Sequence, residues 1–216
     1  MRCTVRPYRP ADRPGVRHVC CETGFMGNPV DRLFGDREVF ADFFTRYYTD
    51  CEPENCLVAE EDRRVVGYLI GCRRYLLYPL VQSWILAWWL PRVAARAACR
   101  QYDRQSLRFV RWFVFHARRE TPAVPRRAGH FHINLLPAWR NGVVARRLIS
   151  SFLARTRFWD TRRVFGQIQT FEDRRPARVF ERYGFRLFDR RRTSKFEPFG
   201  IRGVYVSTFV KHLGAE

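Results

Sequence analysis

Lysine is almost missing from this 216-residue chain: Lys195 and Lys211 stand against 38 arginines. Acids are sparse as well, 21 against 40 basic residues, which leaves a formal charge of +19 at pH 7. That balance disfavours cationic partners and draws anionic ones to the surface, whether nucleotide cofactors, nucleic acid or acidic lipid. Arginine adds bidentate donors for phosphate and carboxylate. A base-rich codon bias accounts for the arginine skew equally well, so charge alone selects no partner.

The chain also has no Cys-x-x-Cys pair. Its seven cysteines (Cys3, Cys20, Cys21, Cys51, Cys56, Cys72, Cys99) are odd in number and mostly flanked by apolar residues. They read as reduced core thiols of a cytoplasmic protein. Arg2, Arg6 and Arg9 are followed by no apolar run, so no secretory signal is expected. Five histidines and scattered acids give no zinc-ligand spacing, and no metal is expected. A P-loop and a Ser-His-Asp arrangement are likewise missing. With 46% hydrophobic residues, the chain is too apolar for disorder and long enough for one sizeable core.

Residues Cys3 to Arg6 read as a strand, and Pro10-Ala-Asp12, with Asp12 as cap, opens a helix carrying Val16, Val19 and Cys20 on one side. A Gly/Pro loop over Thr23 to Pro29 leads to a second amphipathic helix with Val39, Phe40, Phe43, Phe44 and Tyr47. Asn55 to Glu60 and Val65 to Cys72 form a hairpin, with Glu60, Glu61 and Asp62 read as turn charges. Further on come a strand (Gly129 to Leu135), a helix (Gly142 to Thr156), a strand (Val164 to Thr170), a helix (Arg174 to Tyr183) and strands at Phe185 to Asp189 and Val204 to Lys211. This order predicts a mixed α/β sheet without an internal repeat.

Between the halves lies Arg73 to Arg127. Its apolar stretch, Tyr75 to Pro91, is shorter than the ~20 residues of a spanning helix and is interrupted by Pro79, Gln82 and Ser83. Trp84, Trp88 and Trp89 lie beside Arg92, Arg96 and Arg100, and Leu107, Val110, Phe113 and Val114 form a stripe beside Arg108, Arg111, Arg118 and Arg119. Two readings stand: an interfacial amphipathic unit, or a lid whose aromatic face packs on the sheet while its arginines are solvated.

The stretch His130-Phe-His-Ile-Asn-Leu-Leu-Pro-Ala-Trp-Arg-Asn-Gly-Val-Val-Ala-Arg-Arg-Leu-Ile149 runs from a strand through a proline turn into a helix. A helix start presents unpaired N–H groups and partial positive charge, a natural cradle for pyrophosphate. Asn141, Gly142 and Ala145 provide the short side chains such a turn requires. His130, His132 and Asn134 share one face of the strand, Phe131 and Ile133 the other. An imidazole of pKa about 6.5 is suited to relay a proton from an amine, so His132, with His130 second, is the candidate base. Alternation does not tell which face meets a cleft, and a structural histidine is the competing reading.

At this point the sequence resembles the GNAT acyltransferase superfamily, whose cofactor signature is an apolar strand, Pro-x-x-Gln/Arg-x-x-Gly-x-Gly/Ala and two leucine-like residues. Pro137, Arg140, Ala145, Leu148 and Ile149 fall in register. The run Ala177-Arg-Val-Phe-Glu-Arg-Tyr-Gly-Phe185 is similar to the family's closing signature, and Val5 to Asp12, Cys21 to Gly24 and Val65 to Gly71 are similar to its opening, loop and hairpin. The Thr23-Gly24 loop, the Trp88-Trp-Leu-Pro91 insertion and the His130 to Pro137 strand further resemble the acetyltransferase-like domain that accompanies some O-GlcNAc hydrolases.

The resemblance implies a single domain over residues 1–216, α/β, with a mixed, splayed central sheet flanked by helices and a helical insertion (73–127) between strands 3 and 4. It also implies acetyl-CoA, or another acyl-CoA, as co-substrate and a small or lipid-like amine as acceptor. Main-chain groups of Ile133, Leu135 and Leu136 would meet the pantetheine arm, with the Leu135 amide at the oxyanion. Arg140, Asn141, Gly142, Val143, Val144 and Ala145 would hold the pyrophosphate, and Asp173 and Phe180 occupy further cofactor positions. Three positions depart from the family pattern. Val143 stands where glycine is usual, Asp173 where asparagine is, and Phe180 where a tyrosine protonates the departing thiolate. Tyr183, one turn later, is the substitute acid. The alternatives are a GNAT-like ligand- or partner-binding module without turnover, and a cationic protein acting at membranes or nucleic acid. Homodimerisation and peripheral contact with anionic membrane are the further partner expectations. No specific nucleic acid is expected, since no motif for one is present.

Overall fold

A computed structural model of the chain describes residues 3–140, 142–171 and 178–213. Their strands are β1 (Thr4–Pro7), β2 (Cys56–Glu61), β3 (Arg64–Cys72), β4 (Gly129–Leu135), β5 (Arg163–Phe171), β6 (Arg186–Arg192) and β7 (Val204–His212). They form one seven-stranded sheet in the order β1-β2-β3-β4-β5-β7-β6. Every pairing is antiparallel except β4 with β5. The apolar sequence of β3, Val65 to Cys72, follows from its place: helices cover both faces of a central strand.

Each face has its own core. On one, α1 (Arg13–Glu22) and α2 (Arg37–Cys51) bring Val16, Val19, Phe40 and Tyr48 onto Tyr68, Ile70 and Cys72. On the other, α6 (Val143–Thr156) lays Val144, Leu148, Ile149 and Phe152 on Leu57, Leu69, Phe131 and Leu135. The one-turn helix α7 (Arg178–Arg182) precedes β6.

The insertion is helical and lies between β3 and β4, as α3 (Leu77–Ala98), α4 (Arg104–Phe115) and α5 (Ala117–Glu120). The breaks expected at Pro79, Gln82 and Ser83 do not occur: α3 runs 22 residues. Pro79 sits in the first turn, where a missing N–H is no loss. The Gln82 amide donates to the Phe43 carbonyl at 2.9 Å, and Ser83 faces outward. The insertion is clipped down on both sides. Asp36 takes Arg96 and the Tyr102 hydroxyl, the latter at 2.8 Å. Glu120 accepts from Trp112 Nε1 (2.7 Å), Ser194 N (2.7 Å) and Ser194 Oγ (2.6 Å). Its carboxyl is held below the ordinary range: burial opposes this, but the donors outweigh it.

Three local expectations are corrected. Asp12 makes no side-chain cap to α1; its carboxylate accepts from the Arg9 amide and from both Arg6 terminal nitrogens instead. Glu61 is buried and accepts from Trp139 Nε1 at 3.0 Å, so it is more than a turn charge. All seven cysteines are free, but only Cys20, Cys21, Cys56 and Cys72 are buried, and Cys99 is exposed.

Candidate acyl-transfer site

Parallel pairing of β4 with β5 covers only Gly129 to Phe131 against Val164 to Gly166. Beyond these residues the two strands part. At the fork Gly166 leaves room for aromatic rings, since a Cβ there would lie 2.9 Å from Phe180 Cε1 and 3.0 Å from Phe131 Cζ. Phe180 is buried and stacks on Phe131 at 5.8 Å. Its ring therefore fills the base of the fork, and having no hydroxyl it supplies no proton there.

The β3 register decides which main-chain groups face the opening. Leu136 N–H donates to Val66 O at 2.9 Å, so in an antiparallel ladder Asn134 and His132 also point to β3, while Ile133 and Leu135 point away into the gap. The Leu135 carbonyl is taken by Arg140 Nε at 2.8 Å. Ile133 and the Leu135 amide thus lie where the sequence places the pantetheine contacts, whereas the Leu136 amide belongs to the sheet.

Past Leu135 the chain turns through a short 3₁₀ helix, Pro137–Trp139, into α6. Gly142 is the N-cap at φ +80°, a left-handed conformation that favours glycine. This explains why the glycine stands at 142 while Val143 begins the helix, its side chain 41% exposed. The first turn of α6 contains no acid and the cap offers no side-chain acceptor, so the Val144 and Ala145 amides have no acceptor within the helix. Arg140 does not extend toward this turn: Nη2 donates to Gly27 O at 2.6 Å, tying the α1–α2 loop to the end of β4. Asn141 and Asp173 lie outside the described residues. Gly142→Ala is expected to lower stability by about 1 kcal/mol through the left-handed backbone alone, since a Cβ there meets nothing within 4 Å. Urea titration reads this directly, and an unchanged midpoint would contradict the turn described.

The opposite face of β4 borders a cavity of 540 Å³. Phe40, Phe43 and Phe44 of α2, Tyr75, Tyr78, Phe109, Trp112 and Phe113 of the insertion and Phe165 of β5 supply aromatic walls. The polar groups reaching it include His130, His132, Gln167 and Lys195, and among the described residues no carboxylate lines it. His130 is 7% exposed and hydrogen-bonded through Nε2 to Tyr48 Oη at 2.8 Å. Burial, with a smaller push from His132, lowers its pKa to about 3. The His132 ring stands edge-on to Tyr48 at 5.4 Å and has no hydrogen-bond partner among the described residues. Burial lowers its pKa to about 4. Lys195, over the Trp112 and Phe196 rings, is lowered to about 8 by burial against the pull of Glu120.

His130 and His132 are therefore brought together, His130 tied to Tyr48 and His132 unengaged. Tyr183 is not brought to them. Its hydroxyl donates to the Arg146 carbonyl at 3.1 Å and lies 3.2 Å from Ser150 Oγ, bracing α7 on α6. Sequence reasoning offered the insertion as a lid with an aromatic face but missed Lys195, whose approach depends on how the insertion folds back. Among the described residues no group of three metal-ligating side chains exists.

A splayed β4/β5 pair, with a helix start on one side and a cavity on the other, defines the chain as having the GNAT fold. The comparisons agree. SsHAT superposes over 100% of both chains with TM-score 0.64 and 25% identity. A GNAT superfamily phosphinothricin acetyltransferase from Sinorhizobium meliloti, in complex with acetyl-CoA, covers 99% of this chain and 90% of its own (TM-score 0.57, 17% identity). The Drosophila melanogaster polyamine N-acetyltransferase, which forms N-acetylagmatine, covers 98% and 100% (TM-score 0.54, 17% identity). No protein-family model and no curated protein matches the sequence.

Proposed function

We propose that the protein is an acyl-CoA-dependent N-acyltransferase for a small hydrophobic amine. The carrying observation is the parting of β4 and β5 after Phe131 and Gly166, with the start of α6 following the end of β4 and the His132 cavity bordering the same strand. Amides of the first turn of α6, with Gly142 and Val143 at its start, hold the pyrophosphate of acetyl-CoA or another acyl-CoA. Ile133 and Leu135 pair with the pantetheine arm, and the Leu135 amide faces the thioester oxygen. An amine in the aromatic cavity attacks the thioester carbon, the C–S bond breaks, and the thiolate leaves with the electron pair. His132 accepts the proton the amine loses, directly or through water.

The cavity favours the neutral amine. Among the described residues no carboxylate lines it to hold an ammonium, and Lys195 and low polarity both disfavour added positive charge. Polyamines are accordingly poor acceptors. Within the superfamily, the Thr23-Gly24 loop and the Trp88-Trp-Leu-Pro91 segment support placement beside the acetyltransferase-like domain that accompanies some O-GlcNAc hydrolases.

One observation favours a second reading, a binding module without turnover: Phe180 replaces the expected acid and the Tyr183 hydroxyl is bound to α6. Differential scanning fluorimetry with acetyl-CoA, paired with a free-thiol assay over an amine panel, tests both. Saturation at a hundred times Kd is expected to add about 2.7 kcal/mol. Stabilisation without thiol release selects a module that binds the cofactor without turnover, and no stabilisation by any acyl-CoA removes the transferase and leaves a module for another ligand or partner.

A further inference from the structure

We propose that the outward face of α3 docks on an anionic lipid bilayer, lying in the headgroup region rather than crossing it. A helix on a protein surface ordinarily turns a polar side to water; α3 does not. Its inner side packs Leu77, Val81, Ile85 and Trp89 on the core. On its outer side Leu76 and Leu80 are 73% and 69% exposed, and Trp84 and Trp88 55% and 65%. These four recur every fourth residue, and Ala87, Pro91, Ala94 and Ala95, all exposed, fall on the same side at 100° per residue. The result is an apolar face along a helix of 22 residues, about 33 Å at 1.5 Å per residue. An exposed apolar patch of this extent marks an interaction surface.

Charge selects the occupant. Residues 73–119 contain ten arginines and a single acid, Asp103. Arg73 and Arg74 precede α3, Arg92 lies in its second half with its guanidinium over the Trp89 ring, and Arg100 follows it, all exposed. Arg46 of α2 lies under the Trp84 ring at 5.3 Å. A second copy of the chain would bring +19 against +19, a repulsion an anionic surface converts into attraction. Stacked indoles, such as Trp84 and Trp88 at 6.2 Å, suit the boundary between headgroups and acyl chains. Among the described residues no helix is long and apolar enough to cross a membrane, which fits a helix lying flat.

Flotation of the full chain with vesicles tests this, using phosphatidylcholine alone or mixed 3:1 with phosphatidylglycerol. The expected result is at least tenfold more protein on the anionic vesicles, reduced by 0.5 M salt, and at least a tenfold loss in the Trp84→Ser/Trp88→Ser double variant. Both residues are exposed, so an unchanged thermal midpoint verifies that the variant folds. Failure to float with anionic vesicles, or flotation indifferent to the double substitution, overturns the proposal. So does a concentration-dependent dimer in sedimentation that the same substitutions abolish, which assigns the face to a second copy. None of these readouts depends on acyl transfer.

Discussion

His132→Gln is expected to lower kcat for acyl transfer by at least about 100-fold, the low end of what a positioned proton acceptor contributes. The low end follows from burial, which holds His132 at about 4 and makes it a weak base, although a neutral one at every physiological pH. A sign follows for the pH profile. The base form exists above about pH 4, so the wild-type rate should show no inflection near 6.5, the ordinary histidine value. It should instead rise with the fraction of neutral amine. Glutamine retains the volume and a polar end, so KM and stability should change little, and imidazole added to a His132→Ala variant should restore part of the rate. A variant with undiminished kcat would return His132 to the structural reading and leave proton removal to solvent. His130 is the poorer candidate for a physical reason: its Nε2 is already hydrogen-bonded to a buried tyrosine.

The same two histidines are expected to make the fold acid-labile well above the carboxylate range. Each is held below its unfolded value of about 6.5, His130 at about 3 and His132 at about 4. A depressed pKa gives stability that is whole above the unfolded value and is lost as pH falls through the folded one. At pH 4.5 each histidine therefore costs about 2 to 3 kcal/mol relative to pH 7, a large part of the 5–15 kcal/mol typical of a domain. The window from about 6.5 to 4 belongs to the histidines. Below it Asp12 and Glu120, both held under their ordinary values by donors that outweigh burial, add their own loss. Urea midpoints at pH 7 and 4.5 measure the effect, and His130→Gln/His132→Gln should flatten most of it. A wild-type midpoint constant between these pH values would mean that water reaches both rings.

The elements were readable because their signals are local. The continuous apolar run of Val65 to Cys72, the alternation in Gly129 to Leu135 and the proline turn before Val143 are all signals within a few neighbouring residues. The insertion was legible as helical but not in its packing: Gln82 and Pro79 look like breaks until the Phe43 carbonyl and the first-turn position account for them. The assignment of site roles was harder. Arg140 matches the signature, yet its guanidinium serves the Gly27 and Leu135 carbonyls, a use invisible in spacing because Gly27 comes from another part of the chain. Tyr183 was a reasonable acid by helical periodicity until Arg146 and Ser150 claimed its hydroxyl.

By itself the sequence determined the order of strands and helices, the small residues of the turn before α6 and the excess of positive charge, since each depends on neighbouring residues or on a sum over the chain. Only the tertiary structure decided that His130 and His132 face the aromatic cavity rather than α6, and that Lys195 joins them. A strand's two faces are equivalent until helices pack on them, and α2, with the insertion folded over it, chose the face.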